Sequence, residues 1–231
     1  MMTDFHTHIL PGMDDGSRSV EESLAMLQAE AEAGIRRVVF TPHFYASQNS
    51  PREFLRHRRE SWNALLPHMH QGLPKVSFGA EVQYFEGICQ AEEIEELKIQ
   101  GTPYLLLEMP FRRWEDRMVE DILELSAQRD TVVVLAHIDR YLSDVSPKAL
   151  AALEDNGVKM QMNVSIFGQR WKKHRAMSML QAGKVHILGS DCHSMGNRRP
   201  NWALLPAKAK QLLEDSQEYR KICTTVENTA L

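Results

Sequence analysis

A βα-repeat barrel is the architecture this sequence predicts, with a doubly wound open sheet as its competitor. Three observations lead there. Short apolar runs alternate with amphipathic stretches along the whole chain. The runs are rich in Val, Ile and Leu and alternate only weakly in polarity, which suits parallel strands buried on both faces. No linker, internal repeat or low-complexity segment offers a place to divide the chain, so residues 1–231 read as one domain.

The elements follow in order. A first strand is expected over residues 3–8. Ser19-Val20-Glu21-Glu22 then reads as a capping box, Val20, Leu24, Leu27 and Ala31 line one helical face, and Gly34 stops the helix. A second strand covers 37–41. Ser50-Pro51-Arg52-Glu53 repeats the box with Pro at the first helical position. Strands three and four cover 76–81 and 104–109. Trp114, Met118, Ile122 and Leu125 mark the next helix, before strand five at 131–137. Ser146-Pro147 opens a helix that Asn156-Gly157 closes, and strand six covers 158–164. A helix follows Lys172, strand seven covers 185–190, and a last helix is expected over 202–226.

Composition narrows the function classes. Hydrophobic residues make up 43% and charged residues 25% of the 231 residues, ordinary values for a chain that buries a full core. Three cysteines are too few, and odd, for a disulfide framework, which points to a reducing, cytoplasmic setting. A net charge of −4 leaves no electrostatic footprint for nucleic acid. The opening Met1-Met2-Thr3-Asp4-Phe5-His6 has neither a basic nor an apolar leader, and the longest apolar run, 132–136, is far short of a membrane span. No membrane insertion is expected.

Histidine stands out, at ten residues. Most histidines, with several acids, fall where the expected strands end, and in a parallel βα architecture those ends form one rim. His6 and His8 close strand one, and Asp15 lies in the following loop. His43 comes just after strand two. Glu81, Glu108 and His137 end strands three, four and five. Asp191 and His193 follow strand seven. Residues i and i+2 of a strand share a face, so His6 and His8 can serve one ion. Imidazole with carboxylate suits Zn, Mn or Fe, and this many ligands exceed the needs of one ion, so two or three are implied. His57, His68, His70 and His174 read as solvated surface. His186, at the opposite rim, reads as a packed histidine.

The motifs resemble a known family. Asp4-Phe5-His6-Thr7-His8-Ile9-Leu10-Pro11-Gly12 with Asp14-Asp15-Gly16 is similar to the opening of the polymerase-and-histidinol-phosphatase (PHP) superfamily. More narrowly it resembles the bacterial capsule and exopolysaccharide tyrosine phosphatases of that superfamily. Further matching blocks are Thr41-Pro42-His43, Gly79-Ala80-Glu81, Leu107-Glu108, Ala136-His137-Ile138-Asp139-Arg140-Tyr141, Gln161-Met162-Asn163, Ser190-Asp191-Cys192-His193 and Arg199-Pro200. The resemblance implies a distorted (β/α)7 TIM-like barrel holding a trinuclear centre of manganese, iron or zinc. Its ligands would be His6, His8, Asp15, His43, Glu81, Glu108, His137, Asp191 and His193. Arg140 and Arg199 would contact phosphate, Arg199 being chosen over Arg198 because it precedes Pro200. The substrate it implies is the phosphotyrosine-bearing C-terminal tail of a bacterial tyrosine kinase that controls polysaccharide export.

Residue chemistry and resemblance together point to metal-assisted hydrolysis of a phosphate ester by activated water, with His43 as one source of the leaving-group proton. The basic, aromatic stretch Arg170-Trp171-Lys172-Lys173, with Arg175, and the pair Arg112 and Arg113 on the same rim suit an acidic tail. Three other readings compete. One is a small-molecule phosphatase of histidinol-phosphate type, and another is a catalytically silent metal-binding scaffold. The third takes Cys192 and Arg198 as the Cys-x5-Arg loop of a cysteine phosphatase. The carboxylate of Asp191 beside that cysteine would raise its thiol pKa, the wrong direction for a nucleophile.

Overall fold

The computed structural model describes residues 2–128 and 130–228. Met1, Arg129 and residues 229–231, including both ends of the expected 1–231 domain, lie outside the described residues. The strands are β1 (Met2–Thr7), β2 (Ile35–Phe40), β3 (His43–Phe44), β4 (Lys75–Phe78), β5 (Glu81–Gln83), β6 (Tyr104–Glu108), β7 (Val132–Leu135), β8 (Lys159–Asn163) and β9 (Ile187–Gly189). The helices are α1 (Val20–Glu32), α2 (Pro51–Leu65), α3 (Asp116–Ala127), α4 (Pro147–Asp155), α5 (Lys173–Gln181), α6 (Ala207–Asp215) and α7 (Gln217–Glu227).

The paired strands are all parallel, in two sheets ordered β1-β2-β4 and β3-β5-β6-β7-β8-β9. The division is a local break within a continuous wall. Pro42 carries no N–H to donate to a ladder, and β2 stops before it. Hydrogen bonds still cross the gap: Gly79 N donates to Phe40 O at 2.8 Å and Glu81 N to Pro42 O at 3.0 Å. So β2 runs on into β3, and β4 into β5. The expected third strand over 76–81 is therefore two segments of one stave. On the far side, Thr7 bridges Cys192 in parallel, with His8 N on Cys192 O and Asp191 N on His6 O, both at 2.9 Å. The result is a curled, partially closed parallel sheet with helices outside it, a distorted barrel.

The helix starts follow local chemistry. Ser19 Oγ accepts from Glu22 N at 3.2 Å and Ser146 Oγ from Ala149 N at 3.1 Å. Ser50 and Glu53 cap each other reciprocally ahead of Pro51. The expected helix over 202–226 is interrupted instead. A 3-10 turn at Trp202–Leu204 ends before Pro206, and Ser216 restarts the chain as α7 by accepting from Tyr219 N. Inside the wall, Phe5, Val38, Phe40, Leu105, Leu107, Val133, Leu135, Met160 and Leu188 are fully or almost fully buried. Asp4 pins β1 to β9: its carboxylate accepts from His6 N, Ser190 N and the indole of Trp202 at 3.0–3.2 Å. That clamp holds the two strands whose ends carry the histidines.

Candidate metal centre

The strand ends bring the sequence-predicted residues together. Their hydrogen bonds fix which ring nitrogens face inward. Gln161 Oε1, which can only accept, lies 3.1 Å from His6 Nδ1, so that nitrogen donates and Nε2 is left bare. The His193 Nδ1 likewise donates to Asp191 O at 3.0 Å. His8 Nδ1 donates to Asp14 Oδ2 at 2.7 Å. Three rings thus turn their Nε2 lone pairs the same way, each oriented through its outer N–H, the arrangement of a metal-ligating histidine.

These atoms converge on Glu81. Its Oε2 lies 3.0 Å from His6 Nε2, 3.2 Å from His8 Nε2 and 3.1 Å from His43 Nδ1. The other oxygen, Oε1, lies 2.9 Å from His137 Nε2. His6 Nε2 and His8 Nε2 are themselves 3.1 Å apart. Lone pairs packed this closely against a carboxylate repel unless positive charge sits among them. Glu81 Oε2, His43 Nδ1 and His193 Nε2 are buried with no hydrogen-bond partner, as atoms awaiting a cation would be.

Donor atoms fall within 4.8 Å of one another in three overlapping sets. One joins His8, Asp15, His43 and His193, a second His6, His8 and Glu81, and a third His43, Glu81 and Glu108. His137 and Asp191 stand at the margins. His137 Nε2 is 3.4 Å from Glu108 Oε1, and Asp191 Oδ1 is 3.6 Å from His8 Nε2 and 3.5 Å from His193 Nδ1. Both take left-handed backbone, φ 31° and 53°, a conformation a non-glycine residue holds only when its surroundings impose it. Gln161 Oε1 holds the backbone N–H of His137, and His6 O holds that of Asp191. Asp15 is the exposed member, with Oδ1 3.4 Å from His193 Nε2. The mix of imidazole and carboxylate fits divalent transition ions, and the overlapping sets fit a centre of more than one ion.

The carboxylates that would help hold a cation also attract protons to these rings, so proton and cation compete for them. Burial alone would lower the pKa of His8, yet Asp14 and Glu81 raise it to about 10. His137, with burial opposed by Glu108 and Glu81, is raised to about 9. Burial works to raise Glu81, but His6 and His137 hold its carboxyl well below the usual range. Burial and neighbouring His8 push His193 down to about 3.

Two arginines reach the rim. Arg140 Nη2 pairs with Asp191 Oδ2, which also accepts from Asn163 Nδ2 at 2.8 Å. Arg198 Nη2 donates to Asp191 Oδ1 at 2.8 Å, and its Nη1 lies 3.6 Å from Asp15 Oδ2. Of the two adjacent arginines it is Arg198, and not the expected Arg199, that pairs with the carboxylates of the cluster. The turn that folds Arg198 O back onto His193 N and Ser194 N directs the Arg198 side chain inward. Arg199 is exposed and makes no ion pair among the described residues. Cys192 is fully buried, its Sγ 4.0 Å from Glu30 Oε1, and burial, Glu30 and Asp4 raise its thiol far above the usual range. It cannot serve as the nucleophile of a Cys-x5-Arg loop.

Sequence reasoning gave no role to Asp14, Gln161 or Asn163, although all three lie inside the motif blocks. Asp14 orients His8 and also accepts from His43 N at 2.8 Å and Gly16 N at 2.9 Å. The Asp14-Asp15-Gly16 run was the available signal. A Cβ on Gly16 would meet His8 O at 2.3 Å, so only glycine lets this loop lie against the histidine strand.

Comparison with known proteins places this geometry. The family described as capsular polysaccharide synthesis, CpsB/CapC, matches residues 2–226. The chain belongs to that family, which groups PHP-like metal-dependent tyrosine phosphatases. The tyrosine-protein phosphatase CpsB of Streptococcus pneumoniae is 28% identical over 210 residues, 86% of each chain. The tyrosine-protein phosphatase YwqE of Bacillus subtilis is 28% identical over 206 residues, 85% of this chain and 79% of YwqE. A solved structure from work on these two proteins, described as metal-dependent tyrosine phosphatases, superposes with a TM-score of 0.78 at 23% identity, covering 99% of this chain and 94% of the other. A phosphotriesterase homology protein from Escherichia coli, with phosphate in its active site, shares the fold more distantly. Its TM-score is 0.51 at 13% identity, over 96% of this chain and 94% of the other. No helix among the described residues is long and apolar enough to cross a membrane.

Proposed function

We propose that this protein hydrolyses phosphotyrosine on the C-terminal tail of a bacterial tyrosine kinase that controls capsule or exopolysaccharide synthesis, acting in the cytoplasm as one domain over residues 1–231. The observation that carries the reading is the convergence of bare imidazole nitrogens and carboxylate oxygens on Glu81, with Arg140 and Arg198 beside them. His6, His8, Asp15, His43, Glu81, Glu108, His137, Asp191 and His193 would hold two or three ions. Manganese is the first choice, with iron and zinc as substitutes, since a mixed set of five imidazoles and four carboxylates accepts all three. Ions in such a site supply Lewis acidity toward phosphoryl oxygens and a nucleophile drawn from water at neutral pH.

The chain's own residues do the rest. The guanidinium forks of Arg140 and Arg198 are preorganised by Asp191 and offer bidentate donors to phosphate oxygens. Glu81 stays ionised at the centre. In this reading His43, half-buried and 3.7 Å from Asp15 through Nε2, is one source of the proton for the leaving oxygen, and water is the other. A tyrosyl phenolate needs little such help, because its pKa is about 10. The three cysteines are buried, which argues against a cysteinyl-phosphate intermediate.

The test is a substrate panel on metal-loaded protein. Phosphotyrosine peptides should turn over, with activity lost to a chelator and regained with Mn²⁺. Turnover of histidinol phosphate with inert phosphopeptides would favour the small-molecule reading. No hydrolysis of any phosphate monoester would leave a metal-binding scaffold.

A further inference from the structure

The loop after β6 carries an aromatic ring that the reaction as described does not use. Phe111 is 60% exposed. Its ring stacks on His137 of the metal cluster, with centroids 5.9 Å apart and planes inclined by 23°. It also stacks on Tyr141 at 5.4 Å and 28°. The guanidinium carbon of Arg140, the arginine bound to Asp191, lies 5.9 Å from the centre of the same ring.

The loop around Phe111 is fixed. Met109 is buried and its N–H donates to the Tyr141 hydroxyl at 3.2 Å. Trp114 is buried and its backbone N–H donates to Asp144 O at 2.9 Å. Between these anchors Phe111 alone among the loop's large apolar side chains is left open to solvent. Isolated exposed apolar residues are common and mean little by themselves. This one lies beside the arginine expected to take phosphate, in contact with two other rings. In an aryl phosphate the ring begins one ester oxygen from phosphorus, so an ester bound at Arg140 brings its leaving group alongside Phe111.

We infer that Phe111 is the platform for the aryl group of the substrate, and that it makes this site select aryl over alkyl phosphate esters. The inference rests on the proposed phosphatase reading and adds to it the residue that sets leaving-group class. Aromatic pairs in offset or edge contact contribute enough for about a tenfold preference.

Two measurements test it. The first is the ratio of kcat/KM for phosphotyrosine to that for phosphoserine in the same peptide, for the wild type, Phe111→Ala and Phe111→Tyr. The second is binding of phenylphosphonate against methylphosphonate by calorimetry on metal-loaded protein, which needs no turnover. Phe111→Ala should lower the kinetic ratio about tenfold, chiefly through KM, and shrink the phenyl-over-methyl affinity gap by a similar factor. Phe111→Tyr should restore both, with metal content equal in all three proteins. Equal losses for both esters, or none, would overturn the inference. So would a selective loss in Tyr45→Ala, whose ring stacks on His43 at 5.2 Å, in place of Phe111→Ala. A wild type that binds metal but does not turn over phosphotyrosine would refute the phosphatase reading. The phosphonate pair would then still decide the role of Phe111.

Discussion

Asp191 is the side chain through which charge is distributed at this rim. One oxygen holds Arg140 and Asn163, the other faces Arg198 and the histidines. On the proposed reading, removing either arginine would delete a donor to phosphate and leave the ligands in place. Arg140→Ala and Arg198→Ala should each lower turnover by about a hundredfold with bound metal retained, as for a lost oxyanion donor. Arg199→Ala should leave turnover at the wild-type level. Steady-state kinetics paired with metal analysis read all three. That the nine candidate ligands gather at one rim was legible because strand ends can be read from apolar runs. Which of Arg198 and Arg199 reaches Asp191 was not, since it depends on how Arg198 O folds back onto His193 N. Asp14 was invisible as a partner of His8 for the same reason: loop closure is a three-dimensional fact.

His186 gives a separate residue-scale test away from the metal. Its Nδ1 accepts from Met160 N at 3.0 Å, and burial with nearby Lys159 pushes its pKa from 6.5 down to about 4. The folded state therefore binds fewer protons than the unfolded chain between those values. The sign follows: His186 imposes no penalty above about pH 6.5, and stability falls as pH drops from there toward 4. Chemical denaturation at several pH values should show a shallower acid loss in His186→Gln than in the wild type. Equal slopes would show that His186 titrates normally.

At the scale of elements, the barrel wall depends on close approach between β1 and β9. A Cβ at Gly189 would lie 2.5 Å from His6 Cβ and 3.1 Å from its backbone nitrogen. Gly189→Ala must push β1 away, so overpacking of about 1–3 kcal/mol is expected together with displacement of His6. Thermal unfolding should fall and metal content should fall with it; loss of stability with full metal binding would separate the strand contact from the site. The helices were legible from caps and punctuation, as Ser19, Ser50 and Ser146 show. The split of β2 from β3 was partly legible in Pro42. The split of β4 from β5 was not, because it follows from how Gly79 and Glu81 pair across the gap rather than from their own residue types. The break between α6 and α7 had a signal in Ser216, which an amphipathic pattern running through it concealed.

Across the whole molecule, the site joins staves that are far apart in the chain. His6, Glu81, His137 and Asp191 come from different staves, and β1 meets the chain after β9 through the Thr7–Cys192 bridge, the backbone bonds of His8 and Asp191, and the Asp4 clamp. Ions held at their common point would tie the folded state together and bind the unfolded chain poorly. At a thousandfold excess over Kd such binding contributes about 4 kcal/mol, so chelation should lower the melting temperature and Mn²⁺ should restore it. The most direct test of the central claim is elemental analysis of protein purified without chelating resin, combined with a phosphotyrosine-peptide assay on the same sample. The expected result is more than one divalent transition ion per chain, with hydrolysis that disappears with the ions and returns with them. Protein free of bound metal that still hydrolyses the peptide in excess chelator would contradict the account.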